Sequence, residues 1–214
     1  MNPARTAIVL IEYQNDFTTE GGALHGAVKD VMASTGMMDN TRKLIEGARD
    51  LGAVPIFVPI TFTQDYRELR APAYGILKGV VDSRAFRKDT WGAAITEALP
   101  RLPEDIVIEG KRGLCAFAST NLDFILRQLD VETVVLCGFL TNCCVESTMR
   151  TAYEKGFDVV TLTDCTAATS QEEQRLAVEK NYPMFSRPMT HDVFLRELAG
   201  GDKAQARAGG YATA

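Results

Sequence analysis

The stretch "ETVVLCGFLTNCCVESTMRTAYEKGFDVVTLTD", residues 132–164, decides the architecture. It opens on a short apolar run rich in β-branched residues, "ETVVLCGF", which reads as a strand. The next segment, "CCVESTMRTAYEKG", has helical spacing: Val145, Met149 and Ala152 fall on one face, and Gly156 closes it. A second β-branched run, "FDVVTLTD", completes a strand–helix–strand unit. Strands joined in this way run parallel, and a parallel sheet is covered by helices on its faces.

The same alternation extends both ways. Upstream, "TAIVLIE" (6–12) reads as a first strand and "AVPIFVPI" (53–60) as a second. Between them "NTRKLIEGARDLG" puts Leu44, Ile45, Ala48 and Leu51 on one helical face and stops at Gly52. The pattern lapses over 61–88, where Pro, Gly, charges and aromatics mix; this part is expected to be mostly loop, with a helical turn near residues 73–77. "TWGAAITEAL" (90–99) reads as a short helix, "DIVIEG" (105–110) as a third strand and "STNLDFILRQLD" (119–130) as a helix. Downstream, "SQEEQRLAVEKNY" (170–182) opens like a capping box with Ser170 and Glu173. "MFS" (184–186) is the candidate sixth strand and "THDVFLRELAG" (190–200) the last helix. The expectation is one three-layer α/β/α domain over residues 1–200, with a mainly parallel sheet of about six strands, followed by a frayed tail at 201–214.

Composition excludes several functions. A net charge of -5 argues against binding the phosphate backbone of a nucleic acid, and the basic patch "SRAFRK" reads as solvated surface. No apolar run approaches the roughly 20 residues of a membrane span. The N-terminal apolar run meets Glu12 at once and reads as a strand, not a signal peptide, so the expected compartment is the cytoplasm. Five cysteines, an odd count with no C-x-x-C pair, predict free thiols, and two distant histidines (His25 and His191) give no zinc-ligand spacing.

In open parallel sheets ligands bind beyond the carboxyl ends of the strands. The positions to watch are therefore Glu12, Lys111, residues 140–144 and Asp164. A helix N-terminus and an ammonium favour a cysteine thiolate, and a carboxylate can accept the thiol proton. An acid, a lysine and a cysteine at neighbouring strand ends would make a nucleophilic hydrolase site. Helical spacing does not choose between Cys143 and Cys144. Taken singly, Glu12 is also readable as a strand-end charge, Lys111 as a loop lysine and either cysteine as packing.

Three segments resemble the isochorismatase-like hydrolases, which include nicotinamidases and other cysteine amidohydrolases. They are "IEYQNDF", "KRGLCAF" with "STNLDFILR", and "CGFLTNCCVESTMRTAYEKGFDVVTLTDCTAA". The likeness runs from about Thr6 to Leu198. It implies a Rossmann-like fold and a nucleophile directly before the valine, which is Cys144; Cys143 is then structural. The family lysine falls on Lys111. The family aspartate falls on Glu12, a departure one methylene longer, with Asp16 as the fallback. The backbone N–H groups of Leu140 and Cys144 would form the oxyanion hole, each such donor commonly worth about 3 kcal/mol in the transition state. The resemblance also implies a cis bond between Phe139 and Leu140, a pocket wall including Phe17, Trp91 and Phe117 (more weakly Tyr66 and Tyr74), and a homo-oligomer, dimer or tetramer, with 61–88 and the tail at the interface.

The histidine-containing metal cluster of nicotinamidases has no counterpart in "PITFTQDYRELR", so no metal or cofactor is expected and nicotinamide is disfavoured. The expected activity is hydrolysis of a small non-peptide amide through a thioester. The alternatives are ester or ureido hydrolysis by the same groups, a non-catalytic ligand-binding protein, or a thiol redox protein using Cys143 and Cys144.

Overall fold

In a computed structural model the backbone is described for residues 1–209 and the side chains for residues 1–200. Six strands form one parallel sheet in the order β3-β2-β1-β4-β5-β6. They are β1 (Thr6–Ile11), β2 (Val54–Val58), β3 (Ile106–Val107), β4 (Thr133–Phe139), β5 (Asp158–Ala167) and β6 (Arg187–Met189). The helices are α1 (Asn15–Thr18), α2 (His25–Thr35), α3 (Met37–Asp50), α4 (Ile76–Ser83), α5 (Leu122–Gln128), α6 (Glu146–Glu154), α7 (Gln171–Leu176), α8 (Tyr182–Phe185) and α9 (His191–Gly209). A π-type turn, Thr141–Val145, leads into α6, and a second, Ala177–Asn181, joins α7 to α8.

The period of two along the strands builds the three layers. Ile8 and Leu10 of β1, with Val135, Cys137 and Phe139 of β4, pack into one core against α2, α3 and α9. Ala7, Val9 and Ile11, with Val134 and Leu136, pack into the other against α5 and α6. The expected stripe of Val145, Met149 and Ala152 lies in that second core, fully buried. The architecture is therefore the three-layer, Rossmann-like α/β/α fold expected from the sequence.

β1 pairs with β2 on one side and β4 on the other, so the strand order reverses between β1 and β4. That reversal opens a crevice at their carboxyl ends. The two strands approach closely there: a Cβ on Gly138 would stand 2.0 Å from the Ile11 carbonyl oxygen, and Gly138 has φ +121. Only glycine fits that position.

Several local expectations are corrected. Residues 90–99 form turns, not a helix, because the loop after β1 occupies their backbone groups: Asn15 N–H donates to Ala94 O (3.0 Å), Asp16 N–H to Gly92 O (2.9 Å) and Thr96 N–H to Tyr13 O (2.9 Å). The segment expected to be mostly loop contains α4, and the apolar side chains of that helix cover the crevice. Helix α2 was not anticipated; its short buried stripe, Val28 and Val31, is a weak periodic signal. Strand β3 has two residues where six were expected, and β6 lies just after the "MFS" segment, whose Met184 and Phe185 belong to α8. The expectation of a frayed tail falls on 201–214, outside the residues whose side chains are described.

Candidate active site

Glu12 is the first residue beyond β1. Its N–H makes a last strand-like bond to Val58 O (3.1 Å), and the chain then turns sharply, with Gln14 N–H donating to Glu12 O (2.7 Å). The turn holds Glu12 at φ 58, a left-handed conformation costing about 1–2 kcal/mol for a residue with a Cβ. Gln14, fully buried, fixes it: its amide donates to Ile60 O (2.8 Å) and Ala93 O (2.7 Å) and accepts from Ile60 N–H (2.8 Å).

Lys111 reaches the same point from the loop after β3. Its ammonium forms a buried ion pair with the Glu12 carboxylate and donates to Gly113 O (2.8 Å). The two residues are 0% and 2% exposed. Burial alone would push the ammonium pKa down, but the Glu12 charge and the nearby thiols outweigh it and the value is raised. Lys111 therefore stays cationic.

Cys144 lies in the π-type turn after β4, 4% exposed. Thr148 Oγ1 donates to Cys144 O (2.7 Å) and accepts from Ala116 N–H (3.0 Å), tying this turn to the loop that carries Lys111. Contact with Cys143 foremost, then burial and the Glu12 charge, hold the Cys144 thiol well above its usual pKa, against the pull of Lys111. The same thiol–thiol contact lowers Cys143, which is only partly buried. Burial and the Glu12 carboxylate both favour the neutral form of the Cys144 thiol. Glu12 lines the same cavity.

That cavity, about 160 Å³, is bounded by Glu12, Cys144, Leu140 and Phe17 and covered by Ile76, Leu77 and Val80 of α4. The Phe139–Leu140 peptide is cis. Phe17 packs against Phe86 (5.1 Å between ring centroids) and Phe139 (4.9 Å). The other aromatic expectations need correction. Trp91 is 56% exposed and does not line the cavity. Phe117 stacks on Phe157 in the second core, at 6.2 Å. Tyr66 is buried, donating to Ala85 O (2.7 Å), and Tyr74 lines an outer groove. Asp16 is committed elsewhere: its carboxylate accepts Ala23 N–H (3.0 Å) and Phe86 N–H (2.6 Å), so it braces the loop. Asp164 binds His191 through Nδ1 (2.6 Å) and N–H (2.9 Å), anchoring α9. With Cys165 these two form a group able to hold a metal ion, but none of the three lines the cavity.

Sequence reasoning missed the supporting amides. Gln174 accepts from Thr141 Oγ1 (2.6 Å) and Ala168 N–H (3.0 Å), bracing the turn that carries Cys144 from α7. Its signal was faint, a polar residue inside an amphipathic helix.

The family model for the Isochorismatase domain matches residues 6–193. Ureidoacrylate amidohydrolase RutB from Agrobacterium fabrum is 31% identical over 177 residues, covering 78% of this chain and 77% of that protein. The same enzyme from Rhizobium rhizogenes is 31% identical over 177 residues, covering 78% and 72%. Among solved structures, a cysteine hydrolase from Pseudomonas syringae pv. phaseolicola superposes with a TM-score of 0.81 at 24% identity, covering 94% of this chain and 95% of that one. N-carbamoylsarcosine amidase from Thermoplasma acidophilum gives 0.68 at 23% identity, covering 88% and 97%. With the parallel sheet, the crevice and the matched span in agreement, the chain belongs to the isochorismatase family and is a hydrolase.

Proposed function

We propose that the chain hydrolyses a C–N bond of a small non-peptide amide through a thioester on Cys144. The observation that carries this reading is one cavity lined by Cys144 and by Glu12, whose carboxylate is paired with buried Lys111. Glu12 takes the thiol proton while Lys111 steadies the anionic centre. The thiolate attacks the carbonyl carbon, and the N–H groups of Leu140 and Cys144 receive the oxyanion. Collapse breaks the C–N bond, and Glu12 returns its proton to the departing nitrogen. Water, deprotonated by Glu12, then cleaves the thioester and releases the acid, and the thiolate regains a proton. No cofactor or metal enters these steps. A ureido C–N bond is the second reading, favoured by the relatives named as ureidoacrylate amidohydrolases.

Ammonia release from a panel of amides and ureides tests this. Wild type and Cys143→Ala are expected to release ammonia and Cys144→Ala is not. Full activity in Cys144→Ala would overturn the assignment.

The cellular setting is part of the same proposal. Five unpaired cysteines suit a reducing compartment such as the cytoplasm. Among the described residues no helix is long and apolar enough to cross a membrane. A homo-oligomer, dimer or tetramer, belongs to the same proposal, and light scattering on the eluted protein is expected to give two or four chain masses.

A further inference from the structure

The wall of the cavity restricts what can stand beside Cys144. Only Glu12, Cys144 and Thr169 among the lining side chains carry polar atoms. Glu12 is paired with Lys111, and the Thr169 hydroxyl is spent on Glu173. The rest of the wall is aliphatic or aromatic, with Ile60, Val80, Phe86 and Leu114 among it. No arginine, lysine or histidine among the described residues lines it. Arg112, next to Lys111 in the chain, is used elsewhere: Nε donates to Glu68 Oε1 (3.0 Å), and Nη1 to Thr61 Oγ1 (3.2 Å) and Lys111 O (3.1 Å).

A carboxylate lodged here would lose its water, find no free counter-ion and face the Glu12 charge. An alkyl or aryl group would meet only matching surface. The apolar surface also continues outward. A second groove shares Ile76, Leu77 and Leu114 with the cavity and adds Leu69, Ala73 and Tyr74. Its one cation, Arg70, lies in that outer groove and not in the cavity.

Building on the hydrolase reading above, we infer that the group flanking the scissile bond is uncharged and apolar: the substrate is an alkyl or aryl amide or ureide. The anionic ureidoacrylate named for the relatives is a poor match to this wall.

The test separates cavity preference from turnover. N-hexyl iodoacetamide and iodoacetate both alkylate a thiolate, displacing iodide; one brings an apolar tail, the other a carboxylate. Their rates at Cys144 are measured by peptide mass spectrometry in a Cys143→Ser background, each divided by its rate with a free thiol in solution. The division removes the difference in intrinsic reactivity between the reagents, and the Cys144 thiolate fraction cancels in the ratio of the two. The alkyl reagent is expected to be favoured at least about tenfold. In Ala27→Arg, which places a cation at an exposed position on the cavity wall, the preference is expected to shrink severalfold. In parallel, hydrolysis of propionamide, butanamide and hexanamide is compared with that of succinamate. For the neutral series kcat/KM is expected to rise about fourfold per methylene, the usual gain for burying one CH₂.

Equal or faster labelling by iodoacetate, or better hydrolysis of succinamate than of hexanamide, overturns the inference and leaves the hydrolase standing. Retained alkyl preference with no hydrolysis of any amide or ureide leaves the cavity inference standing and counts against the hydrolase.

Discussion

Glu12 is asked to do two things at once. It pairs with a buried ammonium, and in the proposed reaction it is the base for a thiol whose pKa is raised. Glu12→Gln removes the base and leaves Lys111 buried without a counter-charge. Activity is expected to fall by at least about a hundredfold, and stability by about 3 kcal/mol. Glu12→Asp keeps the charge and is expected to lose far less of both. Turnover assays with urea denaturation of the three proteins check this; unchanged stability in Glu12→Gln would mean that the ion pair contributes nothing to the fold.

At the scale of elements, the site depends on how closely β1 and β4 approach. Glu12 follows one strand and Cys144 the turn after the other, and Gly138 sits where a Cβ would overlap the Ile11 carbonyl. The obstruction is backbone, which cannot swing aside as a flexible side chain can. Gly138→Ala must part the strands or distort the positive-φ bend. It is expected to cost about 3 kcal/mol and to depress activity more than a surface substitution of equal size. Chemical denaturation with a parallel assay measures both; a loss below about 0.5 kcal/mol, the surface range, would show that the strands part easily.

For the whole molecule, the buried titratable groups set a limit at alkaline pH. Burial above all raises the pKa of Cys137, to about 12, and those of Cys165, Tyr13 and Tyr182; Cys144 is raised as well. Lys111 is raised by Glu12 against the opposing pull of burial. Each group keeps its proton in the folded chain to a higher pH than in the unfolded chain. Their contribution is therefore complete below the unfolded values and is lost as pH rises through the folded ones. For the cysteines the decline begins near the free-thiol pKa of about 8.5. From 9.0 to about 12, Cys137 alone accounts for on the order of 4 kcal/mol. Urea midpoints between pH 7 and 11 are expected to stay level and then fall above about pH 9; a midpoint that rises with pH would reverse the sign.

What the sequence by itself determined was whatever local rules control. The period of two in the strands, the stripe of Val145, Met149 and Ala152, and the strand–helix–strand order of 132–164 imply a parallel sheet covered on both faces, with chemistry at the strand ends. The run around Cys144 likewise carried the family resemblance. Contacts between distant segments decided the rest. Residues 90–99 have helical composition, but their backbone groups are taken by the loop after β1. Glu12 and Asp16 are both acids in one motif; only the fold pairs one with Lys111 and ties the other to backbone N–H groups. Trp91 and Phe117 are both aromatic, yet one faces solvent and the other the second core, because the direction of a side chain from a loop depends on what the loop packs against. The apolar lining of the cavity is assembled from α1, α2, α4 and the turn after β4, segments far apart in the chain that only tertiary packing brings to one surface.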